Sequence, residues 1–331
     1  MSADSRQPII GVDVGGTKVA AASVVGHRAE HLIERPTETG DSAGLIAGIA
    51  AAIDHVSQRA GAPAAIGIGL PSQVDYATGR VVSSVNIPLE GVSLSEALGE
   101  RLSVPVFVDN DANCAALAEA YYAKSPNIVM YTLGTGVGGG VVIDGRIFRG
   151  ATGLGAELGH VVIRADGPDC PGSCPNRGCL EALCSGTALG RDGDEWAKDH
   201  PGSALGQRRA ANGSASARDV VELARERDPD ALRLLERFAD DLGVGLSNAV
   251  NAYEPEEIVI GGGLSQVHEL FLERAWAEAG ARALPALFKR VRIAVARAGP
   301  AAGVIGAGLL AAQEIGRNMD TAHVTASEGI R

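Results

Sequence analysis

The stretch Pro8-Ile-Ile-Gly-Val-Asp13-Val-Gly-Gly-Thr-Lys18-Val-Ala-Ala-Ala-Ser-Val-Val25 carries the strongest structural signal in the sequence. Its two apolar runs, Pro8–Val14 and Val19–Val25, predict strands, and Gly15-Gly16-Thr17-Lys18 predicts the tight turn between them. The chain therefore opens with a β-hairpin that places Asp13 close to its turn. Because glycines carry no side chain, the backbone of this turn can approach a ligand closely.

Helices and strands alternate through the rest of the first half. Apolar residues recur at three- and four-residue spacing from Ile46 to Val56, which predicts a helix with one apolar face. The other predicted elements are strands Ala65–Leu70 and Val104–Val108 and helices Ser93–Leu102 and Ala112–Ala123.

The second half begins in a similar way. Strand Ile128–Leu133, a glycine turn and strand Gly139–Ile143 lead to Asp144-Gly145, a hairpin signal. The elements predicted after them are a long helix through Leu232–Val250, strand Glu257–Ile260 with a Gly261–Gly263 turn, helices near Glu269–Ala277 and Gly303–Glu314, and strand Val291–Val295. The two halves look alike in outline, and together they predict an α/β protein.

Composition excludes several classes of partner. The 331 residues include 29 Lys and Arg against 40 Asp and Glu, and a net charge of -11 repels a nucleic-acid backbone. The N-terminus shows no secretion signal, and no apolar run approaches the ~20 residues that span a bilayer. We therefore expect a soluble cytoplasmic protein that contacts neither nucleic acid nor membrane, and we expect a homo-oligomer, a dimer or a tetramer.

Neither glycine turn fits the commoner phosphate-binding motifs. In Gly11–Lys18, Thr17 stands where a P-loop needs lysine, and a strand follows where that motif needs a helix. Gly134-Thr135-Gly136-Val-Gly138 also leads into a strand, whereas a dinucleotide fingerprint opens a helix. Either turn alone can be purely structural, but the pair, with Gly261–Gly263, favours nucleotide binding through exposed backbone N–H groups.

Four of the five cysteines crowd one short segment, which indicates a metal site in a cytosolic enzyme. Cys170, Cys174, Cys179 and Cys184 lie within this segment, whereas Cys114 lies elsewhere. Cys184 lies in a predicted helix near Glu181, and we interpret it as a small core residue.

The order of the motifs resembles that of ROK-family sugar kinases. The matching segments are Asp13–Lys18, Asn110-Asp111-Ala-Asn113, Gly134–Gly138, Glu157-Leu-Gly-His160 and Cys174-Pro-Asn-Arg-Gly-Cys179-Leu-Glu181. The resemblance runs from about Pro8 to Glu314, is greatest to the family's glucokinases, and implies an actin/hexokinase-like fold with duplicated ribonuclease-H-like halves around an ATP cleft. It implies a small domain over 1–118, completed by helix 303–316, and a large domain over 119–302. The large domain would hold a structural zinc site closed by four protein ligands, three cysteines and His160. We expect the tail 317–331 to be disordered.

The resemblance also assigns roles to individual residues. It implies that Asp111 is the general base that accepts the proton of the attacking sugar hydroxyl, although an Asp at a strand-to-helix junction is also a common helix N-cap. The implied sugar contacts are Asn86, Asn110, Asp111, Glu157, His160 and Glu181. The implied contacts to ATP and Mg²⁺ are Asp13, Gly15, Gly16, Thr17, Lys18, Gly134, Thr135, Gly136, Gly262 and Gly263.

Three departures from the family pattern affect these assignments. Three residues separate Cys170 from Cys174, where the commoner pattern has one, although the implied zinc ligands remain His160, Cys170, Cys174 and Cys179. Ser72 follows Pro71 where many relatives carry glycine. A serine can replace that glycine only if the backbone there does not need a positive φ. The aromatic that often follows the Asn86 segment is absent.

Three functions are compatible with the sequence. The first is an ATP-dependent glucokinase, and the second is a kinase for another hexose such as fructose or N-acetylmannosamine. The third is a non-catalytic sugar sensor like the ROK repressors. Those repressors carry an N-terminal helix-turn-helix, and only seven residues precede the first predicted strand, so we expect an enzyme.

Overall fold

The computed structural model describes residues 7–84 and 86–316, and its strands form two five-stranded sheets and one two-stranded sheet. The strands are β1 (Ile9–Val14), β2 (Lys18–Val25), β3 (Arg28–Pro36), β4 (Ala65–Leu70), β5 (Ser72–Asp75), β6 (Arg80–Ser84), β7 (Val106–Asn110), β8 (Ile128–Leu133), β9 (Val137–Ile143), β10 (Arg146–Ile147), β11 (Glu257–Gly261) and β12 (Arg292–Val295).

The two large sheets share one topology. Their strand orders are β3-β2-β1-β4-β7 and β10-β9-β8-β11-β12, so each sheet runs third, second, first, fourth, fifth in order of appearance. In the first sheet β1 pairs antiparallel with β2 and parallel with β4, and β4 pairs parallel with β7. In the second, β11 pairs parallel with both β8 and β12. The similarity predicted between the two halves is thus confirmed at the level of topology.

Helices connect these strands. They are α1 (Ser42–Ala60), α2 (Leu94–Leu102), α3 (Asp111–Ala123), α4 (Leu180–Cys184), α5 (Gly186–Asp199), α6 (Ala204–Asn212), α7 (Ala217–Arg225), α8 (Pro229–Tyr253), α9 (Leu272–Arg282), α10 (Pro285–Phe288) and α11 (Ala302–Glu314). Short 3-10 helices cover Leu158–His160, Gly263–Leu270 and Gly299–Ala301. The predicted long helix is α8, which ends where Glu254 adopts a left-handed conformation (φ 43°) just before Pro255.

The chain divides into two compact units. The first comprises residues 1–126, 140–156 and 297–331, as far as they are described, and the second comprises 127–139 and 157–296. In the first unit α11 packs directly on β1 and β4, because a Cβ on Gly11 or Gly67 would lie within 2 Å of an α11 carbonyl oxygen. The predicted domains 1–118 plus 303–316 and 119–302 remain a prediction, and the predicted disordered tail lies outside the described residues.

Several elements differ from the sequence prediction. The strand expected at Val104–Val108 begins after Pro105, which lacks the N–H that a ladder needs, and it continues to Asn110. Strands β3, β5 and β6 and helices α5, α6, α7 and α10 were not predicted. Across the described residues, no helix combines the length and apolar character that crossing a membrane requires.

Candidate active site

Asp111 is the first residue of α3 and directly follows the carboxyl end of β7. The N-cap of this helix is Asn110, whose Oδ1 accepts hydrogen bonds from Ala112 N at 2.9 Å and Asn113 N at 3.2 Å. Asp111 Oδ1 accepts a hydrogen bond from Ala112 N at 2.8 Å. The capping role that the sequence left open for Asp111 is therefore filled by Asn110.

The half-buried carboxyl of Asp111 has an unusually high pKa. Burial and the nearby negative charge of Asp13 raise the pKa of Asp111 to about 6, against the lowering effects of hydrogen bonds at the start of α3. A carboxyl group with this pKa is mostly ionised at pH 7, yet it is a stronger base than an ordinary aspartate. Both properties suit a general base.

The register of the first sheet explains why the carboxylates of Asp13 and Asp111 come together. Asp13 pairs with Gly69 on β4, and Gly69 pairs with Asp109 on β7. Because these strands are parallel, their carboxyl ends meet at one edge of the sheet. A Cβ on Gly69 would lie 3.5 Å from Asp111 Cα and 3.3 Å from Cys114 Sγ, so β4 packs closely against the start of α3.

Asp13 lies against the start of α11. A Cβ on Gly303, the second residue of that helix, would lie 2.5 Å from Asp13 Cγ, so only glycine fits beside this carboxyl. Burial raises the pKa of Asp13, and the charge of Lys18 partly opposes that rise. Lys18 also forms an exposed ion pair with Glu34.

Two hydrogen bonds fix the conformation of the first glycine turn. Gly15 N donates to Lys18 O at 2.8 Å, and Thr37 Oγ1 donates to Gly15 O at 2.7 Å. Gly16 and Thr17 are exposed, so their backbone is accessible to a ligand. Exposed Asn86 lies beside this turn, since a Cβ on Gly16 would be 3.7 Å from Asn86 Cβ.

Ser72 occupies its family-divergent position without strain. The backbone of Ser72 does not adopt a positive φ, so the glycine that many relatives carry is not required at this position. Ser72 Oγ donates to Ser84 Oγ at 2.9 Å across the small β5–β6 sheet. Ser72 O accepts from Asn110 Nδ2 at 3.4 Å, which ties the cap of α3 to this hairpin.

Asp109 and Arg149 also lie at the β7–α3 junction, and sequence reasoning did not select them. Arg149 Nε donates to Asp109 Oδ2 at 2.6 Å, and the Asp109 side chain is only 3% exposed. The sequence offered one signal, since Asp109 directly follows the predicted strand Val104–Val108. A carboxylate buried at such a position needs a partner. The sequence does not reveal that the partner lies 40 residues away.

In the second unit, two glycine turns follow adjacent parallel strands. Gly134 N donates to Gly136 O at 2.9 Å after β8, and Gly262 follows β11 with φ 80°. A Cβ on Gly262 would lie 2.4 Å from Leu133 O, so the two turns pack together. The carboxyl ends of parallel strands are where open α/β sheets bind ligands. Gly262, Gly263 and Thr135 are exposed at this edge of the sheet.

Glu181 supports the first of these turns. Its Oε2 accepts a hydrogen bond from Val137 N at 2.8 Å. A Cβ on Gly136 would lie 2.3 Å from the same oxygen, so the carboxylate can reach Val137 only past a glycine. The predicted sugar contact Glu181 is thus bonded to the predicted nucleotide turn.

Glu157 immediately precedes the 3-10 helix Leu158–His160, and His160 is its last residue. Glu157 is exposed, whereas His160 is half-buried and directs its Nδ1 towards Cys170 Sγ at 3.3 Å. Ala156, immediately before Glu157, has φ 66°, a left-handed conformation that costs a non-glycine residue about 1 kcal/mol or more. Such strain often occurs at functional segments.

His160, Cys170, Cys174 and Cys179 form one cluster. One ligand atom from each lies within 4.8 Å of the others, and Cys174 Sγ is 3.9 Å from Cys179 Sγ. A tetrahedral zinc with Zn–S bonds of ~2.3 Å separates its sulfurs by about 3.8 Å, so the donor set and spacing fit zinc. The three-residue gap between Cys170 and Cys174 does not prevent this arrangement, and none of the five cysteines forms a disulfide.

Each unit thus groups part of the predicted site. The first unit brings together Asp13, Gly15–Lys18, Asn86, Asn110 and Asp111. The second unit carries the remaining predicted residues, which are Gly134, Thr135, Gly136, Glu157, His160, Cys170, Cys174, Cys179, Glu181, Gly262 and Gly263.

Comparison with known proteins identifies similar sequences and folds. The profile of the ROK family matches residues 9–314. A glucokinase from Halalkalibacterium halodurans is 36% identical over 317 residues, covering 92% of this chain and 95% of the relative. A ROK hexokinase from Thermus thermophilus has a TM-score of 0.80 and 33% identity, with 94% and 99% of the two chains covered. The fold is therefore actin/hexokinase-like.

Other similar proteins indicate the range of activities. The structure of a ROK family glucokinase from Streptomyces griseus, in complex with glucose and AMPPNP, has a TM-score of 0.73 and 31% identity, covering 92% of this chain and 99% of its own. An N-acetyl-D-glucosamine kinase from Aliivibrio salmonicida is 31% identical over 91% of this chain and 98% of its own. A xylose repressor from Bacillus spizizenii is 32% identical over 67% of this chain and 54% of its own.

Proposed function

This chain belongs to the ROK family, and we propose that it transfers the γ-phosphate of ATP to the 6-hydroxyl of D-glucose. Its similarity to glucokinases over more than nine tenths of the chain supports an ATP-dependent sugar kinase. The single observation that carries the catalytic assignment is Asp111, a half-buried carboxyl with a pKa raised to about 6 in a helix already capped by Asn110.

In this proposal Asp111 accepts the proton of the attacking sugar hydroxyl, a step that contributes roughly 10²–10⁴-fold to the rate. The nucleophilic oxygen then attacks the γ-phosphorus, and the bond to the leaving ADP oxygen breaks. Asn110 and Asn86 are proposed sugar contacts of the first unit, and Glu157, His160 and Glu181 those of the second. Carboxylates accept hydrogen bonds from neighbouring hydroxyls, which suits a polyol.

The glycine turns are the proposed contacts to the nucleotide. Exposed backbone at Gly16 and Thr17 and at Gly262 and Gly263 supports this assignment, because successive N–H groups stabilise phosphate charge. Asp13 is the proposed carboxylate facing Mg²⁺-ATP. Mg²⁺ would neutralise charge on the phosphates, as it does in phosphoryl transfer generally.

We assign a structural zinc to His160, Cys170, Cys174 and Cys179. A site with four protein ligands has no open position for substrate, so its role is to hold the segment that carries Glu157 and Glu181. His160 directs Nδ1 towards the sulfurs, which leaves Nε2 for the sugar. Metal binding at Nδ1 would fix which nitrogen carries the proton.

Two relatives favour further candidate functions. The N-acetyl-D-glucosamine kinase favours a second candidate, a kinase for another hexose or hexosamine, including fructose and N-acetylmannosamine. The repressor favours a third, a sugar sensor without turnover. Buried polar contacts reject analogues that leave them unpaired by as much as about 10⁴-fold, so one acceptor should dominate.

A coupled assay of ADP release across a panel of hexoses and hexosamines tests the function. We expect glucose to give the highest kcat/KM, with glucose 6-phosphate identified as the product by phosphorus NMR. If N-acetylmannosamine, N-acetylglucosamine or fructose exceeds glucose by about tenfold, the acceptor assignment is wrong and the kinase assignment stands. If no sugar is turned over but glucose binds by calorimetry, the protein is a sensor.

A further inference from the structure

The guanidinium of Arg149 makes three different contacts within the first unit. Its Nε donates to Asp109 Oδ2 at 2.6 Å, its Nη1 donates to Ile147 O at 3.4 Å, and its Cζ lies 3.7 Å from the centre of the Tyr76 ring. Only 15% of the Arg149 side chain is exposed. A planar guanidinium can stack on a ring and donate from its edge at once, which a lysine ammonium cannot.

The carboxylate that Arg149 neutralises holds both sides of Asp111. Asp109 Oδ1 accepts from Asn110 N at 2.8 Å and from the side-chain Nδ2 of Asn113 at 2.9 Å. Asn110 precedes Asp111, and Asn113 lies in the same first turn of α3. The backbone that presents Asp111 is therefore attached to a single buried carboxylate, which accepts hydrogen bonds from three donors, namely Asn110 N, Asn113 Nδ2 and Arg149 Nε.

Arg149 also begins a tightly folded loop. Gly155 N donates to Arg149 O at 2.9 Å, which closes residues 149–155 on themselves. A Cβ on Gly153 would lie 2.6 Å from Val74 O and 2.8 Å from Tyr76 N, so this loop packs against the end of β5. The stacking of Arg149 on Tyr76 thus occurs between two segments that are already in close contact.

We propose that Arg149 is a positioning residue for the phosphoryl transfer: by pairing with Asp109 and stacking on Tyr76, it fixes the orientation of the β7–α3 junction and hence of Asp111. This inference rests on the proposed function, in which Asp111 is the base. A purely stabilising ion pair is the alternative, and it predicts lower stability with unchanged turnover. Reaction rates are sensitive to orientation, since a displacement of about 1 Å can cost about 100-fold.

Arg149→Lys is the decisive variant, because it keeps the positive charge and removes the planar contacts. We expect kcat with glucose and saturating ATP to fall at least about tenfold, while KM for glucose changes less than about threefold. The matched control is Arg146→Gln, which lies three residues earlier and removes a 63% exposed arginine paired with Glu314 at 3.4 Å. The control should retain the wild-type kcat.

A second variant covers the case in which Arg149→Lys does not fold. Asp109→Asn combined with Arg149→Met removes both charges and preserves the side-chain volumes, which buried ion pairs often tolerate. This double variant should also fold and should also have a reduced kcat. A folded Arg149→Lys protein, or this double variant, with kcat within about twofold of wild type would overturn the inference.

Hydrogen–deuterium exchange provides a readout that does not need activity. Amides of residues 110–114 should exchange faster in Arg149→Lys than in Arg146→Gln, because the junction loses its anchor. Unchanged exchange there would contradict the inference. If the wild-type protein turns over no sugar, the proposed function fails on its own, and the exchange measurement still decides whether Arg149 holds the junction.

Discussion

Glu181 Oε2 accepts a hydrogen bond from Val137 N at 2.8 Å, and Gly136 is the residue that leaves room for this contact. The bond joins α4 to the turn after β8, so a residue proposed to bind sugar also shapes a turn proposed to bind nucleotide. Changes at this contact should therefore affect both substrates together.

Gly136→Ala tests this coupling. The added Cβ would lie 2.3 Å from Glu181 Oε2, so the carboxylate must move away from Val137. We expect KM for ATP and KM for glucose both to rise at least about threefold. Gly202→Ala is the matched control, because Gly202 belongs to the same unit, is exposed, and would carry a Cβ with no neighbouring heavy atom within 4 Å. A rise in only one KM would contradict the coupling.

The pH dependence should report the acidity of Asp111. Because the base must be ionised, kcat/KM should be constant near pH 8 and fall as the pH drops below about 6. Asp13→Asn removes the negative charge that helps to raise this pKa, so the acidic limb should move to lower pH even though the variant is slower overall. A limb that stays in place would show that Asp13 does not influence the base.

The same pKa has a consequence for stability. The folded-state pKa of Asp111 lies above the ordinary value of 3.8, so the native protein holds this proton more tightly than the unfolded chain does. Its ionisation therefore lowers the free energy of unfolding as the pH rises from about 4 to about 6. Asp111→Asn should be more stable than wild type by about 1–3 kcal/mol at pH 7.5 and lose this advantage near pH 4. Chemical denaturation at both pH values measures it.

Metal analysis tests the zinc assignment. The purified protein should contain about one zinc per chain, and Cys170→Ser, Cys174→Ser and Cys179→Ser should each lose it, because a structural site needs all of its ligands. Cys184→Ala is the control, since buried Cys184 lies outside the cluster and contacts Phe238 O. Loss of zinc should also increase proteolysis near Glu157. An active preparation without zinc, or full zinc binding by Cys170→Ser, would contradict the assignment.

The sequence predicted the parts of the fold that local chemistry determines. The apolar runs around Gly15–Lys18 give the β1–β2 hairpin, and Asp144-Gly145 adopts the two positive φ angles, 52° and 74°, of a tight hairpin turn. Strand β3 escaped prediction because it is an edge strand with little buried surface, so its residues lack an apolar pattern. Helices α5 and α6 were not predicted because their sequences are rich in polar residues and glycine.

The site was predictable only where a motif is contiguous. Asn110-Asp111 and the cysteine cluster are visible as short patterns, and His160 is brought to the three sulfurs as expected. Contacts across long sequence separations are not visible: Arg149 and Asp109 are 40 residues apart, and Glu181 and Val137 are 44 apart. The sequence also could not decide between base and cap for Asp111, which depends on where the Asn110 side chain points.

Asp111→Asn tests the catalytic assignment most directly, with kcat measured for glucose and ATP and glucose affinity measured by calorimetry under identical salt and Mg²⁺. The amide keeps the size of the side chain but cannot accept the proton, and Asn110 still caps α3. We predict that kcat falls by about 10² or more while glucose affinity changes less than about threefold. A variant with near-normal kcat would show that Asp111 is not the catalytic base.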